Sequence, residues 1–184
     1  MISAAIIGGA GYAGAELTRL LLGHPEFDLV AVTSARDEGR FVRDLYPALQ
    51  TCDLVYSAHD AGEVSRVAEV VFLAVPHPAA MAVVPALLAA GRVVIDASAD
   101  FRLRDPGVFS SWYQAEHTAP ALRAEAVYGL PELWRAALPG ARLVACPGCY
   151  PTATLLAAAP RREGTLGKMR LAPVARALRE TWSD

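Results

Sequence analysis

Cys149 is the residue of this sequence whose type and position point most directly to chemistry. It closes the segment Cys-Pro-Gly-Cys that begins at Cys146, between an apolar run, residues 141–145, and an Ala/Leu-rich run, residues 152–159. The first run predicts a strand and the second a helix. A thiol placed where a strand leads into a helix lies near unpaired N–H groups and the positive end of the helix dipole. Because both favour the thiolate, which is the nucleophile, the spacing predicts a reactive cysteine.

Other interpretations of this cysteine stay open at the level of sequence. A thiol that only packs in the interior is a common fate of cysteine. Cys146 and Cys149 form a C-x-x-C pair, which is typical of dithiol redox proteins when it follows a strand and opens a helix. Zinc is disfavoured, because one C-x-x-C supplies two of the four ligands and the sequence holds no second pair.

A glycine pattern near the start of the chain predicts a nucleotide-binding turn. The segment Gly-Ala-Gly-Tyr-Ala-Gly, from Gly9 to Gly14, follows a predicted strand and opens a predicted helix. Gly9 permits a tight turn, Gly11 lets the backbone approach a pyrophosphate, and Gly14 allows close packing of helix on strand. The alternative is a glycine-rich turn that binds nothing.

The residues after the second predicted strand favour NADP over NAD. An NAD site normally has an acidic residue here for the ribose 2′-OH, but this strand leads to Ser34 and Arg36. A hydroxyl and a guanidinium suit a 2′-phosphate. Asp37 and Glu38 are close enough to keep NAD open, and Arg36 has the alternative of a solvated loop arginine.

Two further predicted strands end in polar residues. Pro76 and His77 follow one strand, and Asp96, Ser98, Asp100 and Arg102 follow the next. Ligands of open α/β sheets bind outside the carboxyl ends of the strands, so we expect these side chains near one crevice, with Arg102 as a clamp for an anionic substrate. The alternatives are turn-capping roles for Asp96 and Ser98 and a hydrogen-bonded loop role for His77.

Strands that alternate with helices predict an α/β fold, a Rossmann-like, doubly wound and mostly parallel sheet covered on both faces. The predicted strands are residues 3–7, 27–33, 54–56, 70–75, 93–95 and 143–145, and the predicted helices are residues 12–22, 79–90 and 152–159. Residues 100–139 predict loops and short elements. Residues 161–164 predict a polar turn and residues 174–182 an amphipathic helix.

Composition bounds the class of protein. The chain has 184 residues, 54% of them hydrophobic, and a net charge of -2. The balanced charge gives no basis for nucleic-acid binding, and no apolar run has the length of a membrane span. Three cysteines and the lack of a signal-peptide pattern predict a cytoplasmic protein with reduced thiols.

Five sequence blocks, taken together, resemble the N-acetyl-gamma-glutamyl-phosphate reductase family of arginine biosynthesis. The blocks are residues 8–17, 72–77, 96–103, 128–133 and 147–152, in family order. They cover about residues 1 to 160. A related reductase of aminoadipyl phosphate in lysine biosynthesis shares them, so the side-chain length of the substrate stays open.

The resemblance implies a mechanism and a set of contacts. Cys149 would attack an acyl phosphate to give a thioester, NADPH would deliver hydride, and a semialdehyde would leave. Helix N–H groups would stabilise the oxyanion. The implied contacts of NADP(H) are Gly9, Gly11, Tyr12, Ala13, Gly14, Ser34, Arg36, Pro76 and His77. The implied substrate contacts are Ser98 and Arg102, and no metal is implied.

The resemblance also predicts the domain organisation. Residues 1–148 would be the NADP-binding domain, and residues 149–184 the cysteine helix and the start of a second domain that is largely missing. Family members are homo-oligomers whose second domain supplies a catalytic histidine, whereas the last histidine here is His117. We therefore expect this chain alone to be weakly active or inactive. A non-catalytic nucleotide-binding module is the alternative function.

Overall fold

The sheet that carries the site has seven strands, and all its neighbouring strands pair in parallel. The computed structural model describes residues 1–159. Its strands are β1 Ile2–Ile7, β2 Phe27–Thr33, β3 Tyr56–Ser57, β4 Val70–Leu73, β5 Val93–Asp96, β6 Val127–Tyr128 and β7 Leu143–Ala145. Their order in space is β3-β2-β1-β4-β5-β7-β6. The chain moves outward from β1 in one direction, then returns to place β4 on the other side of β1, so the order reverses between β1 and β4.

Helices connect the strands and cover both faces of the sheet. They are α1 Tyr12–Leu22, α2 Val42–Leu45, α3 Ala61–Val67, α4 Ala80–Ala89, α5 Pro106–Tyr113, α6 Pro120–Glu125, α7 Pro131–Trp134 and α8 Cys149–Ala158, with 3-10 turns at Pro47–Leu49 and Arg135–Ala137. None of the helices within residues 1–159 is long and apolar enough to cross a bilayer.

Alternating side chains of the central strands build a separate core on each face. In β1, Ala5 and Ile7 pack with α3, α4 and α5 on one face. Ala4 and Ile6 pack with α1 and β2 on the other. All four side chains are buried. A strand buried on both faces has no polar face, which is why the strands are continuous apolar runs in the sequence.

The α/β, doubly wound fold predicted from the sequence is confirmed, with local differences. The bounds of α1 and β2 agree with prediction, and α4 is one residue shorter at each end. Residues 100–139, predicted as loops and short elements, contain α5 and α6 and also the edge strand β6, which pairs with β7. This strand was missed because two paired residues leave no periodic signal. The helix predicted over residues 174–182 lies outside the described residues.

Candidate active site at the carboxyl edge of the sheet

The glycine turn after β1 is shaped by close approach of backbone to backbone. A Cβ on Gly14 would lie 2.5 Å from the carbonyl oxygen of Gly8 and from the Cα of Gly9, so only glycine lets α1 pack this closely on the turn. A Cβ on Gly11 would meet nothing within 4 Å. Gly11 is the N-cap residue of α1, and no side chain caps the helix. The turn therefore leaves open space in front of unpaired N–H groups, which fits a pyrophosphate.

Two tyrosines that the sequence analysis did not single out support this turn. The hydroxyl of Tyr46 donates to the carbonyl oxygen of Ala10 at 2.8 Å. The ring of Tyr56 lies 3.5 Å from the Cβ position of Gly9, and burial raises the pKa of Tyr56 to about 12. No repeat or motif marks either tyrosine. Each reaches the turn from a segment that follows β2, so only tertiary packing identifies them.

The loop after β2 ties Ser34 to Asp37. Ser34 Oγ donates to Asp37 Oδ2 at 3.1 Å and accepts from the backbone N–H groups of Arg36 and Asp37. Arg40 Nη1 donates to the other oxygen of Asp37 at 2.7 Å. Each oxygen of Asp37 therefore already accepts a hydrogen bond from a neighbouring side chain. The Arg36 side chain is exposed and makes no hydrogen bond or ion pair within residues 1–159, so its guanidinium is free to meet an anion.

His77, after β4, is held by a buried carboxylate. Its Nδ1 lies 2.5 Å from Oδ1 of Asp100, which is fully buried, and the backbone N–H of Met81 donates to the other oxygen of Asp100. Because a carboxylate only accepts, Nδ1 carries the proton. His117 Nε2 lies 2.9 Å from the backbone oxygen of Asp100, and its Nδ1 accepts from the N–H of Ala119. The predicted loop histidine is thus hydrogen-bonded, and Asp100 joins the loops after β4 and β5.

The loop after β5 is organised by Asp96, whose side chain is fully buried. Asp96 Oδ1 accepts from the N–H of Ser98 and Oδ2 from the Ser98 hydroxyl, both at 2.8 Å. Burial raises the pKa of Asp96 to about 6, against the opposing effect of the Ser98 hydrogen bonds. The Ser98 oxygen also accepts from the N–H of Asp100. In this structure Ser98 holds the loop, and its contact with a substrate stays a prediction.

Arg102 spans the loops after β5 and β7. Its Nε donates to the carbonyl oxygen of Cys146 and its Nη2 to that of Ala97, both at 2.7 Å. The third nitrogen, Nη1, would lie 3.0 Å from a Cβ built on Gly148. The predicted anion clamp is therefore a half-buried guanidinium, two of whose nitrogens are held by the backbone and whose third lies beside the residue before Cys149.

Cys149 is the first residue of α8, three residues earlier than the predicted start of the helix. The N-cap residue Gly148 provides no side-chain cap, and its carbonyl accepts from the N–H and hydroxyl of Thr152. Cys149 itself is exposed. The thiol therefore lies in the first turn of a helix, where the positive end of the dipole stabilises negative charge.

The two cysteines of the C-x-x-C segment differ in environment. Cys146 is partly buried, and burial, with a further contribution from Asp96, raises the pKa of its thiol to about 11. All three cysteines are free thiols. Within residues 1–159, no group of three or more His, Cys, Asp or Glu side chains is placed to hold a metal ion. The Cys146 thiolate is therefore suppressed, which leaves the exposed Cys149 as the candidate nucleophile of the two.

These turns share one edge of the molecule. The glycine turn, His77, the Asp96 loop and Cys149 follow β1, β4, β5 and β7, which are successive neighbours in a parallel sheet. Neighbouring strands are about 4.8 Å apart, so three steps separate the two end turns by about 14 Å. The edge includes the reversal of strand order between β1 and β4, where open α/β sheets bind their ligands.

The sequence of this chain matches one family model and several proteins of known name. Residues 3–141 match the family model described as "Semialdehyde dehydrogenase, NAD binding domain". The chain is 52% identical, over 90% of its length, to the N-acetyl-gamma-glutamyl-phosphate reductase of Nitrosococcus oceani. It is 53% identical, over 89% of its length, to that of Halorhodospira halophila. It covers 49% and 47% of those proteins, so it spans about half their length.

Solved structures show the same fold at low identity. Aspartate semialdehyde dehydrogenase II of Vibrio cholerae matches with a TM-score of 0.64 and 20% identity, over 89% of this chain and 47% of that one. The Candida albicans aspartate semialdehyde dehydrogenase with NADP matches with a TM-score of 0.60 and 18% identity, over 84% and 45% of the two chains. These similarities concern the architecture of the sheet.

Proposed function

Because this chain belongs to the semialdehyde dehydrogenase family through its NAD-binding domain, we propose that it is the nucleotide-binding and cysteine-bearing part of an N-acetyl-gamma-glutamyl-phosphate reductase. The proposed reaction converts N-acetyl-glutamyl 5-phosphate to the 5-semialdehyde. The observation that carries the proposal is the exposed Cys149 in the first turn of α8, on the same edge of the sheet as the glycine turn. The names of relatives about 50% identical support the substrate class.

The proposed cofactor is NADP(H), which supplies a hydride when bound. The glycine turn from Gly9 to Gly14, including Tyr12 and Ala13, would receive the pyrophosphate at the uncapped start of α1. Arg36 would pair with the 2′-phosphate, with Ser34 beside it. Two observations support NADP over NAD: Arg36 is exposed, and both oxygens of Asp37 already accept from Ser34 and Arg40.

Pro76 and His77 would complete the cofactor site from the neighbouring strand. His77 is partly buried and is held at Nδ1 by Asp100, which leaves Nε2 for a ligand. Its loop follows β4, on the other side of the strand-order reversal from the glycine turn. A loop at this place contacts ligands that lie across the reversal point.

Cys149 would be the acyl acceptor. Its sulfur forms a bond to the acyl carbon as the carbon–oxygen bond to phosphate breaks, so phosphate leaves with the bonding electron pair and a thioester remains. Reduction of the thioester carbonyl gives a thiohemiacetal, whose carbon–sulfur bond then breaks to release semialdehyde and thiol. The N–H groups at the start of α8 would stabilise the oxyanion. Arg102 Nη1, beside Gly148, would face the phosphate, with Ser98 in the adjoining loop.

A direct experiment is to follow acylation of the thiol by mass spectrometry. We expect N-acetyl-glutamyl phosphate to add one acyl group at Cys149 in the wild-type chain and none in Cys149→Ser. Acylation at Cys149 should persist in Cys146→Ser, whereas any dithiol redox activity should be lost in that variant. Cys52→Ser is the matched control, because Cys52 is a buried thiol on the opposite side of β1. An unmodified Cys149 in a folded chain would refute the proposed chemistry.

Binding measurements separate the other interpretations. NADPH binding without acylation would identify a nucleotide-binding module with no covalent step. Comparing N-acetyl-glutamyl phosphate with an aminoadipyl phosphate as acyl donor distinguishes the two substrate lengths. Turnover itself is measured on the chain and on a relative of full length, because the chain spans about half of such proteins. Cytoplasmic location, a homo-oligomeric state and the division into residues 1–148 and 149–184 stay predictions.

A further inference from the structure

The backbone just before Cys149 is held by the end of β5 and the loop after it. Cys146 donates its N–H to the carbonyl oxygen of Asp96 at 2.8 Å, and its own carbonyl oxygen accepts from Arg102 Nε at 2.7 Å. Both polar backbone groups of Cys146 are thus bonded, the N–H to the last residue of β5 and the carbonyl oxygen to the loop that follows it. Pro147 and Gly148 are the only residues between this fixed point and the thiol-bearing residue.

The same loop is rigid because its own polar groups are bonded to one another. The buried carboxylate of Asp96 accepts two hydrogen bonds from Ser98, whose oxygen accepts from the N–H of Asp100. Arg102 Nη2 donates to the carbonyl oxygen of Ala97 while its Nε reaches Cys146. A planar guanidinium bonded to two carbonyl oxygens fixes their separation, which a single ammonium cannot do.

The position of Arg102 also limits where the turn can move. A Cβ on Gly148 would lie 3.0 Å from Arg102 Nη1 and 3.7 Å from Cζ, so the guanidinium lies directly against the N-cap residue of α8. The first turn of α8 therefore has Arg102 on one side, and its start is tied through Cys146 to the end of β5.

We infer that Arg102 and Asp96 are positioning residues for Cys149: they fix the turn that presents its thiol at the start of α8, before any substrate binds. The inference rests on the proposed function for the role of the thiol, and adds to the predicted contact of Arg102 with substrate. Arg102 acts through backbone oxygens, and Asp96 acts through Ser98 and its own carbonyl oxygen.

The test measures Cys149 without substrate or cofactor. The rate of alkylation by iodoacetamide, which is uncharged, is followed at Cys149 by mass spectrometry in the wild-type chain and in Arg102→Lys. Lysine keeps the positive charge but donates from one nitrogen on a flexible stem, so it cannot hold the two carbonyl oxygens at a fixed separation. We therefore expect alkylation about two- to tenfold slower, as the thiol moves off the positive helix end. Exchange of the Cys146 amide hydrogen, followed by NMR, should become faster in the same variant.

Arg92→Lys is the matched control. Arg92 also donates from Nε to a backbone oxygen, that of Ala90, but it lies directly before Val93, the first residue of β5, at the end of the strand opposite Asp96. The Arg92→Lys variant should leave the alkylation rate of Cys149 and the exchange rate of the Cys146 amide at wild-type values. Wild-type alkylation of Cys149 in Arg102→Lys would show that Arg102 acts on substrate alone, and would overturn the inference.

Asp96→Asn gives a second variant, of nearly the same shape, in case Arg102→Lys unfolds. Unfolding is recognised because buried Cys52 then becomes reactive. We expect faster exchange of the Cys146 amide and slower alkylation in Asp96→Asn, and wild-type values of both would overturn the role of Asp96. If acyl phosphate fails to modify Cys149 but these variants behave as expected, the proposed function is wrong and the positioning role stands. If acyl phosphate modifies Cys149 but the variants keep wild-type alkylation and exchange, the proposed function stands and the positioning role is wrong.

Discussion

The turn after β1 and the turn after β7 have the same local geometry and different surroundings. Each helix begins at a glycine with extended backbone and no side-chain cap: Gly11 has φ -83° and ψ 168°, and Gly148 has φ -72° and ψ 165°. By contrast, α3 and α5 begin with the aspartates Asp60 and Asp105, each of which accepts a backbone N–H at 2.8 Å. An aspartate cap would satisfy and neutralise the N–H groups that an anionic ligand needs.

The difference between the two turns is in what faces the glycine. A Cβ built on Gly11 would meet no atom within 4 Å, so the space before Gly11 is open. At Gly148 the guanidinium of Arg102 lies close by, and the next residue is an exposed cysteine. We propose that one turn design serves two purposes. A bare helix start suits a bound diphosphate, whereas a helix start with a nucleophile and a fixed cation suits the transfer of an acyl group from phosphate.

The largest expected effect is the difference in alkylation rate between Cys146 and Cys149, the two thiols of residues 146–149, here called the cysteine turn. At pH 8, a thiol with a pKa of about 11 is only about 0.1% thiolate, so Cys146 should react with iodoacetamide at least about a hundredfold more slowly than exposed Cys149. Mass spectrometry of the two modified peptides measures the ratio. Comparable rates in the folded chain would show that burial does not suppress the Cys146 thiolate.

The next largest effect is the pH dependence of stability that comes from Asp96, at the base of the loop that supports the cysteine turn. Burial raises the pKa of Asp96 from 3.8 to about 6, so the folded chain binds the proton more tightly than the unfolded chain does. The stabilisation by the protonated form is present below about pH 4 and is lost as the pH rises through 6. The loss is about 3 kcal/mol.

Urea unfolding of wild type and Asp96→Asn at pH 4 and pH 7 measures this loss. Asparagine does not titrate in this range, so the wild type should lose about 3 kcal/mol of stability relative to the variant between the two pH values. Parallel changes in the two proteins would mean that Asp96 titrates normally in the fold.

The glycine turn is tested by adding one methyl group at either of two positions. Gly14→Ala places a Cβ 2.5 Å from the backbone of Gly8 and Gly9, so it should lower the free energy of unfolding by about 1–3 kcal/mol. Gly11→Ala meets no atom within 4 Å, so it should change stability by less than about 0.5 kcal/mol but weaken NADPH binding. Urea unfolding and titration with NADPH separate the two outcomes. Unweakened binding in Gly11→Ala would place the diphosphate elsewhere.

The smallest expected effect is on the choice of nucleotide. Arg36→Ala should raise the Kd of NADPH about tenfold and leave that of NADH unchanged, because a charge-assisted hydrogen bond to the 2′-phosphate contributes about 1.5 kcal/mol or more. Arg66, an arginine in the last turn of α3, gives the charge-matched control. Equal weakening of both nucleotides, or of neither, would refute the 2′-phosphate role of Arg36.

Most of the fold was predictable because its central strands and helices are local in the sequence. The apolar run of β2 and the apolar spacing of α1 depend on neighbouring residues, and both elements have the predicted bounds. The edge strand Val127–Tyr128 was not predictable, since two residues become a strand only by pairing with β7. The start of α8 at Cys149 was not predictable either, because the proline and glycine just before it are typical of a loop. The helix starts there in the structure, next to a backbone that Arg102 holds from the loop after β5.

The sequence by itself determined the doubly wound architecture, the glycine turn and the place of Cys149 between a strand and a helix, because each depends on residue types at short spacing. Only the tertiary structure decided that Asp100 holds His77, that Tyr46 supports the glycine turn, and that Arg102 is bonded to the backbone before the cysteine. These contacts join residues 23 to 44 positions apart along the chain. Their geometry follows from the order of strands in the sheet, which no local pattern specifies.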